Sequence, residues 1–198
     1  MSMLRRLPFL CIALTPLAAV AQHSALPETA TSAPAEAKQF DFILGEWQLE
    51  VHPKVSGLVA MIHGTPKLVG TWKAWRVFDG AGIEDELRIV DASGNPLALS
   101  RALRVYAKEE GRWQVGGIDA YHGRTSESSG ALRDGQLRFE GRGTDAQGKT
   151  SLTRTRFYDI TPDGFHMQQD RSTDNGQTWD EGVLAIDAKR VAASASPG

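Results

Sequence analysis

Two arginines alternate along one short extended stretch, Leu152-Thr153-Arg154-Thr155-Arg156-Phe157-Tyr158. In a β-strand, residues two apart share a face, so Leu152, Arg154, Arg156, Tyr158 and Ile160 stand together. If Ile160 opposes Phe165 across the turn Thr161–Gly164, Met167 and Gln169 join that face. The other face then carries Thr153, Thr155, Phe157, Asp159, His166, Gln168 and Asp170. The first face is the more apolar and is assigned to the interior. A guanidinium held there needs an anionic partner. A ligand carboxylate could serve, with Arg156, Tyr158 and Arg154 as its anchor; Glu86 or Asp119 could serve internally. The outward assignment, with both arginines solvated, stays open. Arg104 and Tyr106 repeat the Arg-x-Tyr pattern, although Leu103 and Val105 form the more apolar face of their own strand.

Other patterns carry less chemistry. Gly143-Thr144-Asp145-Ala146-Gln147-Gly148-Lys149-Thr150 fits a P-loop spacing. A P-loop must feed a helix whose N–H groups cradle phosphate, and Ser151–Tyr158 alternates like a strand. The pattern therefore marks a hairpin turn. Ser172-Thr173-Asp174-Asn175-Gly176-Gln177-Thr178-Trp179 fits the Asp-box of sialidase propellers. A propeller repeats such a motif blade by blade, and a single copy is a structural fastener. Asp174 accepts backbone N–H groups, Gly176 takes positive φ, and Trp179 packs at the hairpin base.

The five histidines show no zinc spacing and no cysteine companions. No metal site is expected, and no cofactor; His166 or His122 as an axial haem ligand is the one alternative. No G-x-S-x-G elbow precedes a helix. No catalytic residue is assigned.

These residues must be positioned by strands. From Trp47 onward the apolar period is two. Strands are predicted at 46–52, 69–78, 83–90, 97–107, 112–121, 136–142, 151–160, 165–171 and 179–187, with a weaker one at 125–132. Short Gly-, Asn-, Asp- and Pro-containing turns separate them, so consecutive strands should pair as antiparallel hairpins. The only helical turn expected lies around Phe40–Leu44. An all-β, antiparallel up-and-down barrel of about nine or ten strands fits better than a sandwich, because no long crossover follows Leu68.

The chain opens Met1-Ser2-Met3-Leu4-Arg5-Arg6, followed by the apolar run Leu7–Val20 and the small-x-small site Ala19-Val20-Ala21. This is the pattern of a cleavable secretory signal, with Gln22 as the mature N-terminus. The run is shorter than the roughly 20 residues of a membrane span, so no stable anchor is expected. The protein should be periplasmic or secreted. Removing Arg5 and Arg6 leaves 20 basic against 24 acidic side chains, a net charge of −4. That balance excludes nucleic acid and anionic membrane surfaces as partners. The lone Cys11 lies in the signal, so a core without disulfides must hold the fold. Residues 22–38 read as a disordered linker, 39–191 as the barrel and 192–198 as a frayed tail. The segment Pro53–Pro66 fits a lid, or a strand with a loop.

Phe40-Asp41-Phe42-Ile43-Leu44-Gly45-Glu46-Trp47 resembles the opening of an uncharacterised family of exported bacterial proteins with a lipocalin-like (calycin) barrel. Leu103-Arg104-Val105-Tyr106 leading to Trp113, and Ser172–Trp179, are similar too; the likeness covers about residues 40–190. In calycins the Trp of Gly-x-Trp closes one barrel end under an Arg from the end of the last strand. The resemblance places Trp47 and Arg190 in those roles. It also implies that Arg and Tyr on neighbouring strands hold the carboxylate of a fatty-acid-like ligand. The leading expectation is an exported barrel binding a small apolar molecule with an acidic head group. The alternatives are an exported isomerase or hydrolase using the same cavity, and a filled barrel serving as an interaction module.

Overall fold

The computed structural model describes residues 33–55, 66–144 and 148–192. The expected secretory signal, most of the expected linker and most of the segment Pro53–Pro66 lie outside the described residues. Ten strands among the described residues close one antiparallel barrel: β1 (Gly45–Pro53), β2 (Leu68–Val77), β3 (Gly82–Asp91), β4 (Pro96–Ala107), β5 (Arg112–Asp119), β6 (Arg124–Arg133), β7 (Gln136–Thr144), β8 (Thr150–Tyr158), β9 (Gly164–Ser172) and β10 (Asp180–Arg190). Each pairs with its sequence neighbours, and β1 pairs with β10 from Trp47↔Arg190 to Pro53↔Leu184. That pairing leaves no sheet edge exposed. The stretch 124–133 is a full strand, and β10 runs on to Arg190.

A 3-10 helix, Ala35–Ile43, lies under one end of the barrel and buries Ala37, Phe40 and Ile43. It begins inside the predicted linker. Ala37 is 1% exposed, so residues 35–38 belong to the plug rather than to a linker. Phe40 meets Trp113, Phe139 and Phe157 with ring centroids 5.1, 5.7 and 5.5 Å away. Arg76 ties the plug to the wall by donating to the carbonyl of Ala37 and the carboxylate of Asp41.

Trp47 follows the plug and is fully buried. Its Nε1 donates to the carbonyl of Ile43 at 2.7 Å. The Arg190 guanidinium lies 4.0 Å over the indole and donates to the carbonyls of Leu44, Phe42 and Pro162. Gly45 has φ +103°, and a Cβ there would stand 2.9 Å from the Arg190 Nη1. The glycine of Gly-x-Trp therefore admits both the turn and the arginine.

The pairing of β8 with β9 corrects the face assigned to the arginine strand. Phe157 pairs with Met167, and Tyr158 with His166. Expectation paired Ile160 with Phe165, one residue out of step. Strand β8 stops at Tyr158, and Asp159 takes φ +49° to start the turn. A slip of one residue exchanges the two faces of a strand. Thr153, Thr155 and Phe157 therefore face inward, and Leu152, Arg154, Arg156 and Tyr158 face outward.

Candidate ligand-binding site

Cross-strand partners share a face, so the register traces the inner wall residue by residue. One line runs Ile83–Arg104–Val115–Ser128–Gly141–Thr153–Arg171. A second runs Trp72–Leu87–Ser100–Asp119–Arg124. At the plugged end the interior is packed solid. Trp47, Ile83, Trp113, Leu137 and Phe165 are all fully excluded from solvent or nearly so.

Toward the other end, the inward-facing residues are only part-buried: Leu68, Leu87, Ala98, Ser100, Ala102, Val115, Ser128, Thr153 and Gln169. A filled interior would bury them. Among the described residues the inward face thus forms a cup, floored by aromatic rings and less tightly buried toward the end where β1 stops and β2 starts. Its walls differ. Leu68, Leu87 and Leu184 are the part-buried apolar residues on the β2, β3 and β10 side, packed against fully buried Leu49, Val51 and Ile186. Ser126, Ser128, Thr153, Thr155 and Gln169 line the β6, β8 and β9 side, where Gln169 Nε2 donates to Thr155 Oγ1 at 3.3 Å. Such a cup can hold one small molecule with an apolar side and a hydrogen-bonding side.

The floor carries the one buried ion pair among the described residues. Arg104 donates to the Asp85 carboxylate, and Trp72 Nε1 donates to the other Asp85 oxygen at 2.8 Å. The guanidinium lies between the rings of Phe40 and Trp72, 5.3 and 5.9 Å from their centroids. Burial pulls its pKa down to about 9, still above neutrality. Arg104 and Tyr106 therefore face inward, and Leu103 and Val105 face outward. The aromatic floor, rather than the aliphatic pair, decides which face of β4 turns in.

The anion that answers the buried arginine is Asp85, neither Glu86 nor Asp119. Glu86 is on the outer wall with Arg101, and Asp119 accepts from His122 Nδ1 at 2.6 Å on the rim. The Asp119 carboxyl is held below its usual pKa: burial works to raise it, and the bonds from His122 and from the Tyr121 and His122 backbone outweigh that.

The remaining residues singled out from sequence are on the outer wall. Arg154 stacks over Trp179, 3.8 Å from the ring centroid, with Glu140 3.6 Å away. Arg156 donates to Gln168 Oε1 at 2.8 Å and lies over Tyr158. The expected anionic anchor inside the barrel is therefore not formed by these residues. At the tip between β9 and β10, Thr178 donates to Asp174 through its N–H and its hydroxyl, and Ser172 Oγ donates to Asp174 while accepting from Gly176 N. Gly176 has φ +89°. Trp179 is half-buried against the outer wall. His166 Nδ1 and His52 Nε2 approach the two oxygens of Asp187 at 2.5 and 3.1 Å, also outside. The spacing Gly143–Thr150 joins β7 to β8, with 145–147 outside the described residues.

Sequence reasoning missed Asp85 and the hydroxyl-rich wall. Both were available only as alternate positions in strands whose inward face was not known.

No family model and no curated protein matches this chain. Among solved structures, an S-type phycobiliprotein lyase from Guillardia theta superposes with a TM-score of 0.51 at 12% identity, over 79% of this chain and 92% of that one. The DFHBI-bound EF1p2_mFAP2b protein aligns with a TM-score of 0.39 at 9% identity, over 79% of this chain and all of that one. At 12% identity the likeness to the lyase extends to the fold alone, a calycin-like barrel.

Proposed function

We propose that this protein is an exported carrier or sensor that holds one small molecule in the open half of its barrel. The carrying observation is that the inward-facing line Val115–Ser128–Thr153 stays accessible to solvent, while the plugged end is packed solid. The ligand is largely apolar, to match part-buried Leu68, Leu87 and Leu184, and carries a polar end toward Ser128 and Thr153. An acidic head group at the mouth meets Arg171, which pairs with Thr153 on the inward face and is exposed at the open end. Export rests on the N-terminal signal pattern.

The test is displacement of a fluorescent fatty acid from delipidated protein. Thr153→Trp should block the cup and abolish binding with the fold intact. Arg171→Leu should weaken a fatty acid by roughly tenfold, about 1.4 kcal/mol, and leave the matching alcohol unaffected. Absence of displacement by any apolar ligand would reject the reading.

One observation favours a second reading, an enzyme. Asp119 faces the mouth from β5 and orients His122 at 2.6 Å, the arrangement of a general base held by a carboxylate. If catalysis occurs, His122→Gln should abolish turnover of a bound substrate and leave its affinity unchanged. Equal binding without any turnover in the wild type would leave the carrier.

A further inference from the structure

Arg138 and Arg156 are direct cross-strand partners on β7 and β8, and both face outward. Like charges placed opposite one another repel. Neither guanidinium has a carboxylate within ion-pair distance among the described residues. Arg133, on the outer end of β6, has none either. All three line one outer-wall groove of about 820 Å³, together with Arg112 and Arg154.

Three of the four carboxylates in that groove are engaged by groups other than Arg133, Arg138 and Arg156. Glu110 binds Arg112 at 2.6 Å, and Glu140 stands 3.6 Å from Arg154. Asp170 accepts from Gln168 Nε2 at 3.0 Å and from Gly182 N at 2.8 Å. Glu181 remains at the β10 side. Gln168 passes this order along: because its amide nitrogen donates to Asp170, its oxygen is left to accept from Arg156. Arg156 is thus held by a neutral acceptor and by the Tyr158 ring, 5.0 Å away, with its charge uncancelled.

We propose that this groove is a second ligand site, separate from the cup, which takes the dianionic head of a free phosphate monoester between Arg138 and Arg156, with Arg133 beside them. A phosphate's oxygens can accept from two guanidinium forks at once, which turns the repulsion between the paired arginines into attraction for the ligand. A single carboxylate brings one charge to two cations and is the poorer match.

The experiment is calorimetric titration of the mature protein with phenyl phosphate and with inorganic phosphate at low ionic strength. Saturable binding at one site is expected for both. Arg138→Gln and Arg156→Gln should each weaken it by at least tenfold. Arg142→Gln, an outward arginine farther along β7, should leave it within twofold. Glu181→Gln should leave it unchanged or tighten it. Neither Arg138→Gln nor Arg156→Gln should lower the melting temperature, because each relieves a repulsion. No saturable binding, an equal loss in Arg142→Gln, or binding only to phosphatidylglycerol vesicles would overturn the proposal. Fatty-acid displacement from the cup should be unaffected by these variants, so the two sites fail or stand separately.

Discussion

Asp85 and Arg104, on the adjacent strands β3 and β4 at the barrel floor, form an ion pair from which solvent is excluded, with Trp72 Nε1 bonded to the same carboxylate. A buried pair of this kind holds position more than it adds stability. Removing one member leaves the other charged in an aromatic box. Asp85→Ala and Arg104→Ala should each destabilise by about 3–5 kcal/mol. Replacing both with apolar residues of similar volume, Asp85→Leu with Arg104→Met, should recover most of the loss. Urea denaturation of the three variants measures this; two additive single losses would contradict it.

Trp47 and Arg190 close the plugged end. Trp47→Ala removes a fully buried indole and should cost about 3–5 kcal/mol. Arg190→Ala loses the stacking and the donors to Phe42, Leu44 and Pro162, and should cost about 2 kcal/mol. The double variant should cost less than the sum, because both act through the same plug contact. A Trp47→Ala melting point within a degree of wild type would show that the plug is not part of the cooperative core.

Gly130 tests the packing of the inner wall. Its partner is Phe139, whose ring occupies the space a side chain would take, and a Cβ would come within 2.1 Å of the Arg138 carbonyl oxygen. Gly130→Ala should therefore destabilise by about 1–3 kcal/mol. Gly116, on the neighbouring strand, has nothing within 4 Å of its would-be Cβ, and Gly116→Ala should be neutral. Thermal unfolding of both variants decides whether strand glycines are interchangeable here.

Asp174 makes a prediction in pH. The Thr178 hydroxyl and N–H, with the Ser172 hydroxyl, hold its carboxyl down from 3.8 to about 2. A carboxylate whose pKa is lowered by folding stabilises the fold above its unfolded value and loses that contribution as pH falls toward the folded value. Stability from this hairpin should be complete above about pH 4 and fade between roughly 4 and 2. The Asp174 carboxyl carbon should titrate near 2 by NMR, and in Thr178→Val the midpoint should move up. A midpoint already near 3.8 in the wild type would mean that the hairpin is not formed in solution.

The arginine strand shows where reading stops. The alternation in Leu152–Tyr158 identified a strand and identified which residues share a face. It did not say which face turns inward, because both faces are mixed: Leu152 and Tyr158 accompany the arginines, while Phe157 and Ser151 accompany the threonines. The answer came from a turn of one residue more than expected, begun by Asp159 at φ +49°. The same ambiguity affected β4, where Arg104 is inside and Leu103 is 37% exposed.

About nine or ten strands and their neighbour-to-neighbour pairing were legible in the sequence, while the closure by Trp47 and Arg190 was implied only by the family resemblance. The strands and their pairing depend on local facts: alternation with period two, and short turns rich in Gly, Asn and Asp. The sense of each face, the Asp85–Arg104 pair and the contrast between a tightly packed half and a less buried half appear only in three dimensions. Those depend on summed volumes. Phe40, Trp72, Trp113, Phe139 and Phe157 converge from distant parts of the chain and fill one end, whereas Gly117, Ser126, Ser128, Gly141 and Thr153 are too small to fill the other. No window of sequence contains that comparison, because the residues that meet across the barrel are separated by most of its strands.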